Sequence, residues 1–334
     1  MADLATMIRE VVRPLPHHDT LRSALTGKRT LVLGADGFLG SYTAIALQDL
    51  GAHVSLLQRR PAPLVGRDHF KVFNGDLNDT TLIQKAIADC EIIFDFVGSS
   101  SAIDTPSEIT TLNNLHTNAY EAAARLDTQP LVVLSSSRTV YGKPQSLPVN
   151  ESHPLAPQSP YAHHKIALEN QLATLQQSHA LPFVVARLSN VYGPFLIDHT
   201  KSYGIFNQFI DTARQNGTIR LFGDGSQLRD YLFIRDAVAA FLHLAANPAA
   251  HNRIINVGGP KPISIRSAVD ELLTQCPGAS LTTAPWPPEH QAVETGDYST
   301  DLTLFRSFVE GIPATTILDG IHETLRTYRH AQPT

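Results

Sequence analysis

Residues 30–40 read TLVLGADGFLG, an apolar run followed at once by three regularly spaced glycines. A short apolar run that ends in Gly is typical of a buried strand, and Gly51 stops the apolar-periodic helix that follows. Glycines at such a turn permit a close backbone approach, and the helix start offers free N–H groups to an anion. The stretch therefore predicts a strand–turn–helix unit that binds the pyrophosphate of a dinucleotide. The cofactor-binding residues predicted in this turn are Gly34, Gly37, Phe38, Leu39 and Gly40.

Outward from this unit, short apolar runs alternate with helix-patterned segments as far as Asn190. Strands that alternate with helices form a parallel sheet covered on both faces, and right-handed crossovers make that sheet doubly wound. The prediction is an α/β protein with a Rossmann sheet and a smaller C-terminal substrate lobe. After the first strand, the predicted strands are residues 53–58, 70–73, 91–98, 130–136 and 182–188. After the first helix, the predicted helices are residues 80–88, 108–126 and 159–178.

Beyond Asn190 the regular alternation ends, and Pro, Gly and aromatic residues become frequent, as in VYGPFLIDHTKSYG at 191–204. In this part we expect helices near 205–215, 237–246 and 264–274, strands at 218–222 and 253–258, and a Pro-rich loop at 277–290. The predicted domains are an N-terminal prelude (1–28), a dinucleotide-binding domain (29–190, with a strand and a helix from 229–257) and a substrate lobe (191–228 and 258–334).

The composition is that of a globular protein. Of the 334 residues 43% are hydrophobic and the net charge is -5, which excludes a largely disordered chain and a basic footprint for nucleic acid or an anionic membrane. Two cysteines, Cys90 and Cys276, exclude a disulfide framework, and the 15 His residues lack metal-ligand spacing. Asp3, Arg9 and Glu10 interrupt the start, and no stretch approaches the ~18 apolar residues of a membrane span. We expect a cytoplasmic protein with no metal, membrane or nucleic-acid partner.

The end of the second strand is where a dinucleotide-binding sheet selects its cofactor. A carboxylate there would bind the ribose 2′-hydroxyl of NAD. This chain has Gln58, Arg59 and Arg60 instead. Arginine can pair with the 2′-phosphate of NADP, so of the two cofactors, NAD and NADP, these residues favour NADP. The alternative, that Arg59 and Arg60 are solvated loop charges, stays open.

A second group of residues has the chemistry of an oxidoreductase. Ser137 follows the fifth strand, and Tyr161 and Lys165 lie at i and i+4, on one face of the same predicted helix. A free tyrosine has a pKa of roughly 10, too high for a base at neutral pH. A neighbouring ammonium and the positive charge of an oxidised nicotinamide lower that pKa by stabilising the phenolate. Because Ser137 can hydrogen-bond a substrate oxygen, the three are predicted to be catalytic.

Taken in order, these motifs resemble the extended short-chain dehydrogenases/reductases that act on nucleotide sugars, often called NAD-dependent epimerase/dehydratases. The resemblance runs from about Arg29 to Arg329. It implies a nicotinamide-dependent enzyme with a nucleotide-sugar substrate, and a homodimer formed through the helices that bear Asn118 and Tyr161. The stretches that carry it are GADGFLG, NGDLND, LSSSRTVYG, PQSPYAHHK, RLSNVYGP, GDGSQLRDY and INVGGPKPISI.

The resemblance also implies roles for individual residues. Ser137, Tyr161 and Lys165 match the family's catalytic Ser/Thr, Tyr and Lys. Asn118, in LHTNA, matches the helix Asn that supports the active-site geometry. The cofactor-side matches are Asp76 and Leu77, which flank the adenine, and Phe96, Val97 and Gly98, at the strand end beside the ribose. The substrate-side matches are Asn190, near the nicotinamide and the sugar diphosphate, and Arg229 and Tyr231, which hold the diphosphate and sugar.

Departures from the family pattern bear on the reaction. Sugar 4,6-dehydratases place Asp-Glu after the catalytic Thr, because elimination of water needs an extra acid and base, and the decarboxylases usually carry Glu at the second position. This chain has Arg138 and Thr139 there, which disfavours both activities. SSSRTVYG and PQSPYAHHK look most like 4-epimerases of the galactose-epimerase type. Those enzymes carry an Arg shortly before a C-terminal Gly-Asp, whereas Glu294 precedes Gly296 and Asp297 here, so one diphosphate contact is missing or displaced.

We therefore expect nucleotide-sugar chemistry at C4, in the first place epimerisation, with Tyr161 taking the 4-hydroxyl proton while a nicotinamide accepts the hydride. A reductase of 4-keto sugars stays open as the alternative, and it would run the reaction once with external NADPH. A 4,6-dehydratase, a decarboxylase and a non-catalytic NAD(P)-binding protein are weaker alternatives, because Ser137, Tyr161 and Lys165 are all present. An epimerase retains its cofactor, whereas a reductase consumes it.

Overall fold

Strands and helices alternate along the computed structural model, which describes residues 4–13, 15–58, 70–75, 78–98, 106–194 and 204–331. Its strands are β1 (Arg29–Leu33), β2 (His53–Gln58), β3 (Lys71–Asn74), β4 (Ile92–Asp95), β5 (Leu131–Ser137), β6 (Phe183–Leu188), β7 (Asn190–Tyr192), β8 (Thr218–Phe222), β9 (Leu228–Phe233), β10 (Arg253–Val257), β11 (Pro262–Ser264) and β12 (Ser280–Ala284). Its α-helices are α1 (Leu4–Val12), α2 (His18–Leu25), α3 (Phe38–Asp49), α4 (Thr80–Ile87), α5 (Pro106–Ala124), α6 (Pro160–His179), α7 (Ile205–Arg214), α8 (Ile234–Ala246), α9 (Ile265–Gln275), α10 (Pro288–Gln291), α11 (Thr303–Arg306) and α12 (Ile317–Ala331).

Seven parallel strands form the central sheet in the order β10-β6-β5-β4-β1-β2-β3. All six residues of β6 are buried, as expected for a strand covered on both faces. The chain runs outward from β1 to β3 and then returns to place β4 on the other side of β1. This reversal opens a crevice at the carboxyl ends of β1 and β4, where open α/β sheets bind their ligands. The predicted doubly wound α/β fold is confirmed.

Helices cover both faces of the sheet, and each face has its own apolar core. On one face α3 and α8 bury side chains such as Ile45 and Phe241 against the strands. The N-terminal helices α1 and α2 pack onto these two helices. On the other face, α4, α5 and α6 bury Ile83, Leu115 and Leu168. The two layers hold the strand ends, and therefore the crevice, in place.

Two small sheets make up the rest of the described strands. One has the order β11-β9-β7, and its register sets Asn190 of β7 beside Tyr231 of β9. The other pairs β12 with β8. After β9 the chain returns to the large sheet through α8 and β10. These two elements are the helix and strand that residues 229–257 were predicted to contribute to the dinucleotide-binding domain. The domain boundaries themselves remain a prediction.

The prediction for residues 277–290 was wrong, because this segment is not a loop throughout. Ser280–Ala284 form β12, which pairs in parallel with β8, and α10 begins at Pro288. The partner residue of Ser280 is Thr218, which lies 62 positions earlier in the chain. A strand of this kind is stabilised by its pairing more than by its local pattern. Because prolines flank β12, the local pattern indicated a loop.

Candidate functional site

A cavity of about 530 Å³ opens at the carboxyl ends of the central strands. Its wall is built from the ends of β1, β2, β4, β5 and β6 and from the first turns of α3 and α6. This is the crevice at which the strand order reverses, so the fold itself places it. The predicted site residues that line the cavity are Gly34, Gly37, Phe38, Leu39, Gln58, Phe96, Val97, Gly98, Ser137, Tyr161, Lys165 and Asn190.

The glycine turn forms one wall of the cavity. Gly34 has a φ of 75°, a left-handed conformation that glycine adopts without strain. A Cβ on Gly37 would lie 3.1 Å from the Gly34 carbonyl oxygen, and a Cβ on Gly40 would collide with that oxygen. Gly40 therefore serves the close packing of α3 on β1 and does not line the cavity. With Gly37 as its N-cap, α3 presents a helix start at the wall, and such a cradle fits the pyrophosphate of a dinucleotide.

Gln58 lies at the end of β2 and lines the same cavity. Its side chain is buried, and Nε2 donates to Oδ1 of Asn74 at 3.2 Å. An amide thus stands where a carboxylate would accept a ribose hydroxyl. The other predicted residues of this end, Arg59, Arg60, Asp76 and Leu77, lie outside the described residues.

The start of α6 carries Tyr161 and Lys165 to the cavity. Oγ of Ser159 caps the helix by accepting from the N–H of Ala162 at 3.2 Å, and Pro160 takes the first helical position, where its missing N–H costs nothing. Lys165 follows Tyr161 by about one turn, and its Nζ lies 5.7 Å from the centre of the Tyr161 ring. The spacing read from the sequence therefore corresponds to two side chains facing one cavity.

Lys165 is held at the cavity wall by the backbone that follows β4. Its Nζ donates to the carbonyl oxygen of Val97 at 3.5 Å. Burial lowers the pKa of Lys165 to about 8, while the carboxylates of Asp95 and Glu169 act in the opposite direction. The amine is therefore mainly an ammonium at neutral pH. A cation at this place can stabilise a phenolate at Tyr161.

Ser137 ends β5 and faces the same space. Its Oγ accepts from the N–H of Thr139 at 3.2 Å and from the Thr139 hydroxyl at 2.9 Å. Because both lone pairs are used in this way, the hydroxyl proton of Ser137 is left to donate to a ligand. Thr139 reaches Oγ because residues 138–141 form a short 3-10 turn directly after β5. Sequence reasoning treated Thr139 only as a departure from related enzymes and missed this orienting contact.

Arg138 is the other residue that sequence reasoning missed. Its Nε donates to Oδ1 of Asn190 at 2.9 Å, and its Nη1 donates to Oγ1 of Thr295 at 2.9 Å. The guanidinium is buried and stacks 4.9 Å from the centre of the Tyr298 ring. Burial, helped by the charge of Arg229, lowers the pKa of Arg138 to about 10. Because Oδ1 of Asn190 is occupied, the amide group is left with N–H donors for a ligand in the cavity.

Besides Gly40, three predicted site residues among the described ones lie outside the cavity lining. Asn118 is partly buried on α5, one turn beyond the lining residue Leu115. The ring of Tyr231 is buried against Phe206 with centroids 4.5 Å apart, and its hydroxyl has no hydrogen-bond partner within the described residues. The third, Arg229, takes part in a separate cluster.

Arg229 is bound by other parts of the chain. Its Nη2 lies 2.6 Å from Oε1 of Glu294, and its Nη1 donates to the carbonyl oxygens of Leu228 at 2.7 Å and Gly296 at 2.5 Å. The acidic residue that replaces the expected Arg before Gly296 is therefore the ion-pair partner of Arg229. This pairing neutralises part of the positive charge expected at the substrate end.

The model of the NAD dependent epimerase/dehydratase family matches residues 30–258, which include the glycine turn, Ser137, Tyr161 and Lys165. The chain belongs to this family. The resemblance that the sequence motifs indicated is thereby confirmed, and with it an enzyme family of the short-chain dehydrogenase/reductase kind that uses a nicotinamide cofactor. The family match does not distinguish NAD from NADP as the cofactor. It also does not distinguish one reaction of the family from another.

Relatives of this epimerase/dehydratase chain span nearly its whole length. A UDP-glucose 4-epimerase of Mycolicibacterium smegmatis is 31% identical over 320 residues, which cover 90% of this chain and 99% of that protein. A dTDP-glucose 4,6-dehydratase of Streptomyces niveus is 25% identical over 319 residues, which cover 90% of this chain and 93% of that protein. The solved structure of an epimerase from Methanothermobacter thermautotrophicus has a TM-score of 0.84 and 22% identity, covering 94% of this chain and 95% of that one. The last comparison shows a shared fold.

The described ranges hold neither a metal cluster nor a membrane-spanning helix. No cluster of three His, Cys, Asp or Glu side chains is placed to hold a metal ion there. Among the helices of the same ranges, none has the length and apolar character needed to cross a membrane. Cys90 and Cys276 are both buried and not bonded to each other.

Proposed function

We propose that this protein is a nucleotide-sugar 4-epimerase in which Tyr161 is the catalytic base. The observation that carries the proposal is the convergence of Ser137, Tyr161 and Lys165 on one cavity that the glycine turn also lines. The similarity to a UDP-glucose 4-epimerase over 90% of the chain supports a UDP-sugar as the substrate. Dehydration is disfavoured, because the two positions after Ser137 hold Arg138 and Thr139, whose side chains are engaged with Asn190 and Ser137.

The dinucleotide would be held at the glycine side of the cavity. A bound nicotinamide supplies a hydride acceptor that also returns the hydride. The N–H groups at the start of α3 would bind the pyrophosphate, and Gln58 would meet the adenosine ribose. The backbone of Val97 and Gly98 would face the other end of the cofactor, beside the Lys165 ammonium. These contacts orient the cofactor toward Tyr161.

Tyr161 and its neighbours would move one proton. The Tyr161 phenolate oxygen takes the proton of the sugar 4-hydroxyl as the C4–H bond breaks, and the Lys165 ammonium stabilises that phenolate beforehand. The Ser137 hydroxyl donates to the same substrate oxygen and holds it beside Tyr161. After the 4-keto sugar turns over, Tyr161 gives the proton back to that oxygen. One proton leaves and one returns, so the cycle needs no further acid or base.

The substrate would occupy the side of the cavity formed by β7 and α7. Asn190 lines this side, and its N–H donors suit an oxygen of the sugar or the diphosphate. The roles proposed for Arg229 and Tyr231 place the diphosphate next to β9. Because Glu294 already binds Arg229, we propose that Asn190, oriented by Arg138, supplies part of the contact that related epimerases obtain from an additional arginine.

A 4-keto-sugar reductase is the second candidate, and the end of β2 favours it. Gln58 has no carboxylate to repel a 2′-phosphate, and Arg59 and Arg60 follow it in the sequence. A preference for NADP(H) would suit an enzyme that draws on external NADPH. The same Ser137, Tyr161 and Lys165 would serve, with Tyr161 donating its proton to the keto oxygen.

The test is an interconversion assay with UDP-glucose and UDP-galactose, separated by chromatography, with no added nicotinamide cofactor. We expect either sugar to reach the same equilibrium mixture without net change in nicotinamide absorbance. The matched control is Tyr161→Phe, which loses one hydroxyl; its turnover should fall by roughly 10²–10⁴, the scale of a positioned acid–base group. Turnover that requires stoichiometric NADPH would overturn the epimerase in favour of the reductase. A Tyr161→Phe variant with normal turnover would overturn the assigned base.

A further inference from the structure

Asp95 is a buried acid that the proposed mechanism does not use. It is the last residue of β4, and its side chain is fully buried. Two side chains of α5 bind one of its oxygens: Nδ1 of His116 lies 2.7 Å from Oδ2, and the Tyr120 hydroxyl donates to Oδ2 at 2.7 Å. The other oxygen, Oδ1, accepts from the N–H of Val97 at 2.9 Å. Donors on both oxygens stabilise a charged carboxylate away from water.

The surroundings of the Asp95 carboxylate favour its charged form. Nε2 of His116 is buried and has no hydrogen-bond partner in the described part of the chain. Burial raises the pKa of Asp95, but His116, the Tyr120 hydrogen bond and the Lys165 charge outweigh burial and hold that pKa below its usual value. Asp95 is thus an anion at neutral pH.

Val97 connects this anion to Lys165. The N–H of Val97 binds Asp95, and the carbonyl of the same residue accepts from Nζ of Lys165 at 3.5 Å. Asp95 therefore fixes the backbone turn that the ammonium contacts. Its charge also acts on the amine directly, because it opposes the burial that lowers the pKa of Lys165 to about 8.

The other groups around Lys165 are engaged or neutral. Glu169 also raises the pKa of Lys165, but Arg187 binds its carboxylate at 2.6 Å in a buried ion pair. His164 precedes Lys165 on α6, and burial lowers the pKa of its ring to about 3, so the ring is uncharged. The titratable groups that β4, α5 and α6 bring to Lys165 are Asp95, His116, Tyr120, Tyr161, His164 and Glu169.

We propose that Asp95 is a positioning residue that keeps Lys165 in place and charged beside Tyr161, acting through the Val97 backbone and through its own buried charge. The proposal rests on the proposed function in one respect, since only there does the Lys165 ammonium serve the Tyr161 phenolate. Asp95 would thus support the site although it neither lines the cavity nor contacts Ser137, Tyr161 or Lys165 directly.

The test measures the protonation of Lys165 in the full-length protein without substrate. Lys165 is acetylated in competition with a reference amine by acetic anhydride between about pH 6 and about pH 10, and the Lys165 peptide is quantified by mass spectrometry. Asp95→Asn keeps the shape and the acceptor for Val97 but removes the charge. We expect its labelling curve to move down by about one pH unit, the lower end of the effect of a nearby opposite charge. Below the transition, Lys165 would then react about tenfold faster than in the wild type.

Tyr120→Phe is the matched control. It removes one hydrogen bond to Oδ2 but leaves the carboxylate charge, so it should lower the melting temperature without moving the Lys165 labelling curve. Asp95→Ser is the second charge-deleting variant, since its short side chain leaves room for water on the donors of His116, Tyr120 and Val97. We expect it to shift the curve in the same direction as Asp95→Asn.

In turnover, the sign follows from the loss of an anion beside Lys165. The lysine loses its proton at lower pH, so the alkaline limb of the pH profile should move down by about one unit with little change in KM. A folded Asp95→Asn or Asp95→Ser protein whose labelling curve coincides with the wild type would overturn the proposal. Labelling uses neither substrate nor cofactor, so a failed epimerase assay with a shifted curve would overturn the proposed function alone.

Discussion

At the scale of the residue, the chemistry of the cavity depends on which atom each side chain leaves available. Arg138 occupies Oδ1 of Asn190, so the amide offers donors, and Thr139 occupies the lone pairs of Ser137, so the hydroxyl offers its proton. The two residues after Ser137 therefore prepare two donors for an oxygen-rich ligand. This arrangement suits a sugar diphosphate better than a cationic ligand.

Arg138→Lys tests the first of these contacts. The lysine keeps a positive charge but lacks the planar fork that reaches both Asn190 and Thr295. A hydrogen bond to a charged group contributes about 1.5–3 kcal/mol, and about 1.4 kcal/mol is tenfold in affinity. We expect KM for the UDP-sugar to rise about tenfold or more, with a smaller change in kcat.

Thr295→Val is the control for this prediction. It removes the acceptor of Nη1 and leaves the contact between Arg138 and Asn190 intact, so KM should stay within about twofold of the wild type. If Arg138→Lys also leaves KM unchanged, the orientation of Asn190 does not depend on the guanidinium, and the role assigned to Arg138 is wrong.

The shared location of the three residues proposed to be catalytic was predictable from the sequence, because their relation is local. Tyr161 and Lys165 are one helical turn apart, and Ser137 ends a strand whose apolar run is plain in the sequence. The contacts of Arg138 are of another kind, since Asn190 is 52 residues away and Thr295 is 157 residues away. These contacts form only when β7, and the segment that contains Thr295 and Asp297, pack beside β9. The local sequence pattern around Arg138 does not predict that packing.

At the scale of the element, the proposed dinucleotide site depends on the ends of β1 and β2. The glycine turn brings α3 so close to β1 that Gly40 has no room for a side chain. Gln58 at the end of β2 is fixed by Asn74 of β3. The proposed recognition of the adenosine half therefore depends on one helix start and one strand end, and the sequence pattern predicted both of these elements.

The end of β2 yields a prediction about the cofactor. Dissociation constants for NADPH and NADH, measured at one ionic strength, should favour NADPH by about tenfold, since a charge-assisted contact contributes about 1.5–3 kcal/mol before screening. Gln58→Asp should shift the ratio toward NADH, because a carboxylate accepts the ribose hydroxyl and repels a 2′-phosphate. Asn74→Ala, which removes the partner of Gln58 without adding charge, should leave the ratio unchanged. Equal or tighter binding of NADH by the wild type would contradict the preference.

Two of the elements that prediction missed, β12 and α2, lack a clear local signal. β12 has prolines on either side and pairs with β8, 62 residues away. α2 is eight residues long and begins at His18, with no side-chain cap to mark its start. By contrast, β6 has six consecutive buried residues and α6 has a Ser-Pro start, and both were placed within one or two residues.

At the scale of the whole molecule, the order of the strands places the site. Reversal of strand order beside β1 creates the crevice, and a buried network ties its floor to α6. In that network Arg187 of β6 binds Glu169 through both carboxylate oxygens, and Ser136 of β5 donates to the same acid. The strand ends and the helix that carries Tyr161 are thus joined by charge-assisted hydrogen bonds as well as by apolar packing.

The measurement that tests the central claim most directly follows a label at C4. UDP-glucose carrying deuterium at C4 is incubated with the enzyme, excess unlabelled NADP and NAD are added, and the product sugar is analysed by mass spectrometry and NMR. If C4 is oxidised and reduced within one cavity beside Tyr161, the UDP-galactose formed will retain deuterium at C4, and none will enter water or the added nicotinamides. Deuterium found in the external nicotinamide pool, or a product without the label at C4, would contradict the account.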